Sequence, residues 1–372
     1  MRSFFCLVLC LALCVPPLWV VADGEVLDVP ARAAVLMDER SGRVLYALNE
    51  DKLLPIASTT KVMTALLALE NSKPDDPVTA GKNASGVPGT SIYLSAGETL
   101  TMRQMLQGLM LRSGNDAAVA IAEHVSGSVD AFAQFMNARA EALGATAYFT
   151  NPHGLDQGGN GASALGLAKI AREALKNPEF RALVVTKTAT LPWAGSPYQR
   201  NLTNKNKLLT TYEGATGVKT GFTNMAGRCL VFSAERDGME LVGAVLNCGA
   251  WFETSAALLD WGFENFRPVQ LLAAGEIAAE IPISGGVRGY ACAVARENFL
   301  VPVSVTERCE LVLEIPEKLD APVTAGQVLG TANAVVNGKT VASVPLYATE
   351  TVERRDYLAM LRRLLRYWRL WP

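Results

Sequence analysis

Between residues 30 and 266 the chain sets β-prone runs at both ends and helix-spaced apolar repeats between them, and this order restricts the fold more than any other feature. At the front, ARAAVLMDERSGRVLYALNED holds two strand-like runs around Ser41-Gly42, the pattern of a hairpin. At the back, ATGVKTGFT, GRCLVFSAERDG and MELVGAVLNC are three more, the last two joined at Asp237-Gly238, a strong hairpin signal. The segments LTMRQMLQGLMLRS, DAAVAIAEHVSGSVDAFAQFMNARAEALG and, after the last strand, FETSAALLDWGFENF repeat apolar residues at helical spacing. The terminal strands can therefore share one antiparallel sheet flanked by helices, an α/β (α+β) arrangement.

Outside that block the pattern changes three times. Residues 1–22, MRSFFCLVLCLALCVPPLWVVA, carry one basic residue, an apolar run and small residues at Val20 and Ala22, which reads as a secretory signal peptide cleaved after Ala22. A membrane-spanning anchor is the alternative, but Pro16, Pro17 and the small-residue exit favour cleavage. The first mature domain is then 23–266. Residues 267–350 turn to short β-type runs separated by Gly and Pro, among them ISGGVRG and APVTAGQ, which predicts a second, all-β domain. In residues 351–372 a helical wheel puts Tyr357, Leu361, Leu364, Trp368 and Trp371 on one face and Arg355, Arg362, Arg366 and Arg369 on the other. That is the signature of a helix lying in a membrane interface, too short and too charged to span; docking on its own domain or on another subunit is the alternative.

Composition excludes some classes. Half of the 372 residues are hydrophobic and the net charge is -2 with no basic stripe, so nucleic acid is not an expected partner. The two histidines, His124 and His153, have no carboxylate or cysteine at metal-ligand spacing, and neither metal nor cofactor is expected. Three of the seven cysteines fall in the leader; Cys229, Cys248, Cys292 and Cys309 stay in the mature chain, where hairpin geometry would bring Cys292 near Cys309 or leave the thiols free.

Chemistry enters at ASTTKVMTALLALE, where Ser58 and Lys61 stand three apart at the mouth of an apolar helix. A serine hydroxyl is a poor nucleophile until a base takes its proton. One helical turn presents the lysine amine to the hydroxyl, and burial beside Val62, Ala65, Leu66 and Leu69 would depress the amine's pKa enough to make it that base. By themselves these residues could equally be a helix cap and a solvated lysine. Two further motifs decide the matter: Ser113-Gly114-Asn115 between helical segments, and Lys219-Thr220-Gly221 on a strand. S-x-x-K, S-x-N and K-T-G in that order form the set of penicillin-binding proteins and β-lactamases. Ser113 can relay a proton to the leaving amine, and Asn115 can hydrogen-bond both the substrate amide and Lys61. Lys219 and Thr220 suit a substrate carboxylate. Gly221 permits close backbone approach, and the N–H of Phe222 can join that of Ser58 as an oxyanion hole.

At this level the chain resembles the serine-type D-alanyl-D-alanine carboxypeptidases, the low-molecular-mass penicillin-binding proteins. The similarity extends through PIASTTKVMTALLALE, GETLTMRQMLQGLMLRSGNDAAVAIAEHVSG, FTNPHGLD and GVKTGFTNMAGRCLVFSAERDGMELVGAVL. The resemblance implies removal of the terminal D-alanine from peptidoglycan stem peptides ending in D-Ala-D-Ala, through an acyl-enzyme on Ser58, with β-lactam antibiotics acylating the same serine. It also implies an exported enzyme held at the outer face of the cytoplasmic membrane by a β-rich domain and the 351–372 helix. Two positions depart from the family pattern. Trp251 stands where many members carry an arginine thought to help hold the substrate carboxylate, and Gly166 stands where an aspartate is common, so altered loop packing is expected there.

Rival readings fare less well. A class A β-lactamase needs a dedicated deacylating glutamate, and no segment convincingly supplies one. A Ser-His-Asp hydrolase would need a G-x-S-x-G elbow, and a P-loop fails because Val218 separates Gly217 from Lys219. A catalytically silent peptidoglycan-binding protein has no chemical need for both Ser58 and Lys61.

Overall fold

The computed structural model describes residues 27–156 and 159–368. The leader-like residues 1–22, and Arg369 and Trp371 of the terminal wheel, lie outside the described residues. The chain divides into two compact units that part between Glu264 and Asn265.

In the first unit, β1 (Ala31–Asp38) and β2 (Val44–Leu48) form the N-terminal hairpin, and β3 (Ala215–Thr223), β4 (Gly227–Arg236) and β5 (Met239–Cys248) the C-terminal meander. They join in one antiparallel sheet of order β3-β4-β5-β1-β2, closed across the β1–β5 seam where Ala33 faces Leu246 and Val35 faces Ala244. Asp237 and Gly238, at φ 52° and 76°, make the β4–β5 turn in the left-handed conformation that a two-residue hairpin requires.

Helices cover both faces of this sheet, which is why its strands read as unbroken apolar runs instead of alternating ones. On one face Val35, Val231, Val242 and Ala244 share a core with Leu167, Ile170 and Ala171 of the helix Ala164–Leu175. On the other, Gly262 of the helix Trp251–Asn265 sits against the Leu36 and Leu241 side chains. The helical middle consists of α1 (Lys61–Asn71), α2 (Met102–Gln107), α3 (Asn115–Ser126) and α4 (Val129–Ala142). Thr101 and Gln104 start α2 with a reciprocal capping box, satisfying two of the donors a helix start leaves open.

The second unit is all-β apart from its last helix. A six-stranded sheet runs Cys309–Glu314, Val328–Val336, Lys339–Ala348, Tyr290–Val294, Ile277–Ser284, Leu319–Asp320 in spatial order, and Phe266–Leu272 pairs with Phe299–Ser304. Its core gathers Leu272, Ile281, Phe299, Val301, Leu313 and Leu346. Two strands separate those carrying Cys292 and Cys309, and the two residues sit near opposite ends of Lys339–Ala348, so their thiols are not bridged to each other. Of the two alternatives left open by the sequence, proximity fails because their strands are not hairpin partners.

The boundary at residue 350 also moves. Val352 is fully buried and exchanges backbone hydrogen bonds with Val323, and Arg355 N donates to Gly285 O at 2.6 Å. Residues 351–355 therefore complete the β unit, and the terminal helix begins at Tyr357 and runs to Tyr367. Along it Tyr357, Leu361, Leu364 and, just beyond, Trp368 are exposed. Among the described residues no helix is long and apolar enough to cross a membrane.

Candidate active site

Ser58 does not begin an α-helix as the sequence suggests. It occupies a 3-10 turn, Ala57–Thr60, and Lys61 opens α1. At three residues per turn, positions i and i+3 eclipse, so the two side chains face each other more closely than α geometry would bring them. Lys61 Nζ lies 3.0 Å from Ser58 Oγ and donates to Asn115 Oδ1 at 2.8 Å and to the His153 carbonyl at 2.7 Å. Lys61 is fully buried, and that burial, with the nearby charges of Lys219 and Lys205, holds its amine well below the usual lysine range. A neutral amine has two N–H groups and one lone pair. Two carbonyl-type acceptors take the former, which leaves the lone pair for the Ser58 hydroxyl.

The second motif breaks the helical middle. After α2 a π-helical turn, Gly108–Arg112, ends in Ser113 at φ 69°, and α3 starts two residues later at Asn115. The Ser113 hydroxyl is buried and has no hydrogen-bond partner among the described residues, yet Ser113 lines the cleft beside Ser58. Asn115 is held from three sides: its N–H donates to Thr90 O, Nδ2 donates to Pro88 O, and Oδ1 accepts from Lys61. Next to it stands a residue the motif reading passed over. Asp116 is fully buried and its carboxylate accepts from Ser91 Oγ at 2.6 Å, from the N–H groups of Ile92 and Leu94, and from its own neighbour Ala117 N. It ties the loop 88–94 to the start of α3, and so aims Asn115.

β3 is the edge strand of the sheet, and it leaves alternate backbone groups free for a ligand laid alongside. Gly221 is required for a reason different from ligand approach. A Cβ there would come within 2.9 Å of Ile56 O and 3.0 Å of Ser58 N, so any side chain would push the strand off the nucleophile's own turn. Lys219 is buried and donates to Thr220 O at 2.9 Å; burial first, and the charge of Lys205 second, push its pKa from 10.5 down to about 7. Ser58, Ser113, Thr220, Gly221 and Phe222 open together into a cleft of about 670 Å³.

Residues 20–250 match the D-alanyl-D-alanine carboxypeptidase family, peptidase S11, and residues 266–354 match the C-terminal domain of penicillin-binding protein 5. The chain belongs to the D-alanyl-D-alanine carboxypeptidases. Among relatives, it is 31% identical to the carboxypeptidase DacF of Bacillus subtilis over 91% of this chain and 90% of that one. It is 33% identical to DacC of Escherichia coli over 90% and 87% of the two chains. The crystal structure of penicillin-binding protein 5 from Haemophilus influenzae superposes with a TM-score of 0.75 at 30% identity, covering 90% of this chain and all of that one.

In this carboxypeptidase Trp251 begins the helix Trp251–Asn265 and lines the cleft with Phe252, the two rings 4.7 Å apart between centroids. Gly166 lies in the first turn of the helix Ala164–Leu175, its N–H bonded to Ser163 Oγ at 2.9 Å, and so belongs to a helix start and not to a rearranged loop. The block FTNPHGLD acts through its backbone. Asn151 Oδ1 accepts from Gly154 N at 2.7 Å, and Asn160 Nδ2 donates to Asn151 O at 2.9 Å. The turn so braced offers the His153 carbonyl to Lys61 and the Pro152 carbonyl to Thr64. The His153 ring turns its Nδ1 to Leu155 N, and burial above all lowers its pKa to about 4, so it stays neutral and is no rival base.

Proposed function

We infer that this chain is a serine-type D-Ala-D-Ala carboxypeptidase in which Ser58 is the nucleophile and Lys61 the general base. One observation carries the assignment of roles: the Lys61 amine is buried and has two carbonyl-type acceptors, so its remaining valence is directed to Ser58 Oγ. Ser58 Oγ attacks the carbonyl of the penultimate D-alanine as its proton passes to Lys61. The oxyanion is held by the N–H groups of Ser58 and Phe222. Ser113, whose hydroxyl has no other partner among the described residues, passes a proton to the departing D-alanine nitrogen. Water then hydrolyses the ester on Ser58 and restores the enzyme. Asn115 orients Lys61 and offers an amide to the substrate backbone, while Lys219 and Thr220 attract the terminal carboxylate. A β-lactam presents the same acyl group within its ring, and its opening leaves Ser58 acylated. The protein is expected to release free D-alanine from a pentapeptide ending in D-Ala-D-Ala; a folded protein that releases none would refute the reading.

The leader-like stretch of residues 1–22 supports export, and the exposed apolar side chains along Tyr357–Tyr367 support attachment to the outer face of the cytoplasmic membrane. Because residues 351–355 are part of the β unit, the deletion that tests attachment begins at Tyr357. The shortened protein is expected to stay in the supernatant when liposomes containing anionic lipid are sedimented, with D-alanine release unchanged. Undiminished sedimentation would exclude the helix as the anchor.

A further inference from the structure

The cleft must receive a substrate that ends in a free carboxylate, and Thr220 with the enclosed Lys219 supplies only part of what would hold it. Trp251 brings an indole to the cleft wall. Lys219 is enclosed and spends one N–H on Thr220 O. Lys205 and Lys207 also line the cleft, and Lys205 donates to Thr90 Oγ1. A different cation stands at the right place. Arg228 lies directly opposite Phe222 in the β3–β4 ladder, and Leu230 opposite Thr220. Paired residues of an antiparallel ladder project to one face, and residues two apart share it. Arg228 therefore shares the face of Thr220 and Phe222 and lines the cleft with them and with Trp251.

The guanidinium is also prepositioned. Arg228 Nη1 donates to Gly249 O at 2.8 Å, across from β4 to the segment that leads into Trp251. That bond uses one of five N–H donors, and among the described residues Arg228 has no carboxylate partner. A planar fork held by one donor loses little freedom when its others close on a carboxylate.

We propose that Arg228, with the Thr220 hydroxyl, binds the terminal carboxylate of the substrate's last D-alanine, and so supplies the guanidinium that Trp251 does not, in a cleft that Glu253 also lines. This rests on the carboxypeptidase reading and adds to it the residue that selects for a free C-terminus.

The test compares two substrates on the full-length protein: a pentapeptide ending in D-Ala-D-Ala, and the same peptide ending in D-alaninamide. Arg228→Gln is expected to lower the preference for the acid over the amide about tenfold, mainly through KM, as loss of one charge-assisted contact implies. Arg228→Lys should recover part of the preference, and Trp251→Arg added to Arg228→Gln should restore it by supplying a guanidinium from position 251. Equal loss on acid and amide, or no loss on the acid, would overturn the proposal while leaving the enzyme a carboxypeptidase. Wild-type protein inactive on both peptides would overturn the carboxypeptidase reading and this proposal with it.

Discussion

Changing Lys61 to methionine is expected to slow acylation of Ser58 by penicillin by about 10³-fold, the span that a positioned general base contributes. Methionine fills the same buried volume without the amine, so Ser58 keeps its turn but loses the acceptor 3.0 Å away. Ser58→Ala should abolish covalent labelling altogether. Ser58→Ala should unfold close to the wild-type temperature, because Ser58 is not in the packed core, whereas Lys61→Met should unfold somewhat lower because it leaves Asn115 Oδ1 and His153 O without their donor. Labelled penicillin followed by gel fluorescence separates the outcomes. Rapid labelling of Lys61→Met would mean that the proton goes elsewhere, and any labelling of Ser58→Ala would move the nucleophile.

The second expectation concerns stability and has a defined sign. Lys219 ionises at about 7 in the folded chain against an ordinary 10.5. Below pH 7 both folded and unfolded chains carry the proton, and the folded state bears the whole cost of an enclosed ammonium. Between pH 7 and 10.5 the unfolded chain holds a proton that the folded one has released, so stability rises with pH over that window. Lys219→Met removes the cost. The variant should be more stable than wild type by roughly 2–4 kcal/mol at pH 6, with the gap closing as pH approaches 10. Urea unfolding at pH 6 and 9.5 measures it; a variant that is less stable at pH 6 would show that the ammonium is compensated inside the fold. The same substitution should raise KM for peptides with a free C-terminus, which makes Lys219 a case of stability given up for binding.

Much of this architecture is legible in residue order. The apolar runs of β1, β3, β4 and β5 announce strands buried on both faces, and Asp237-Gly238 announces their turn. The S-x-x-K, S-x-N and K-T-G triplets name their own chemistry because side-chain type and spacing are written in the sequence. The misreadings have physical causes too. Helical periodicity cannot distinguish a 3-10 turn from the first turn of an α-helix, so Ser58 is placed one element too late. The Thr351–Arg355 stretch looks like the approach to a helix, yet its backbone pairs with residues some 30 to 70 positions earlier, and no local pattern reports such pairing.

By itself the sequence determined which groups could do the chemistry and which faces had to be buried, because those follow from side-chain identity and period. Only the tertiary structure decided how the groups are tuned. The His153 carbonyl that fills one valence of Lys61, the Asp116 carboxylate that aims Asn115, and the approach of β3 that permits nothing larger than Gly221 all involve backbone atoms brought together from distant parts of the chain. Backbone atoms are the same in every residue, so their role is set by where the fold puts them and leaves no mark in the order of side chains.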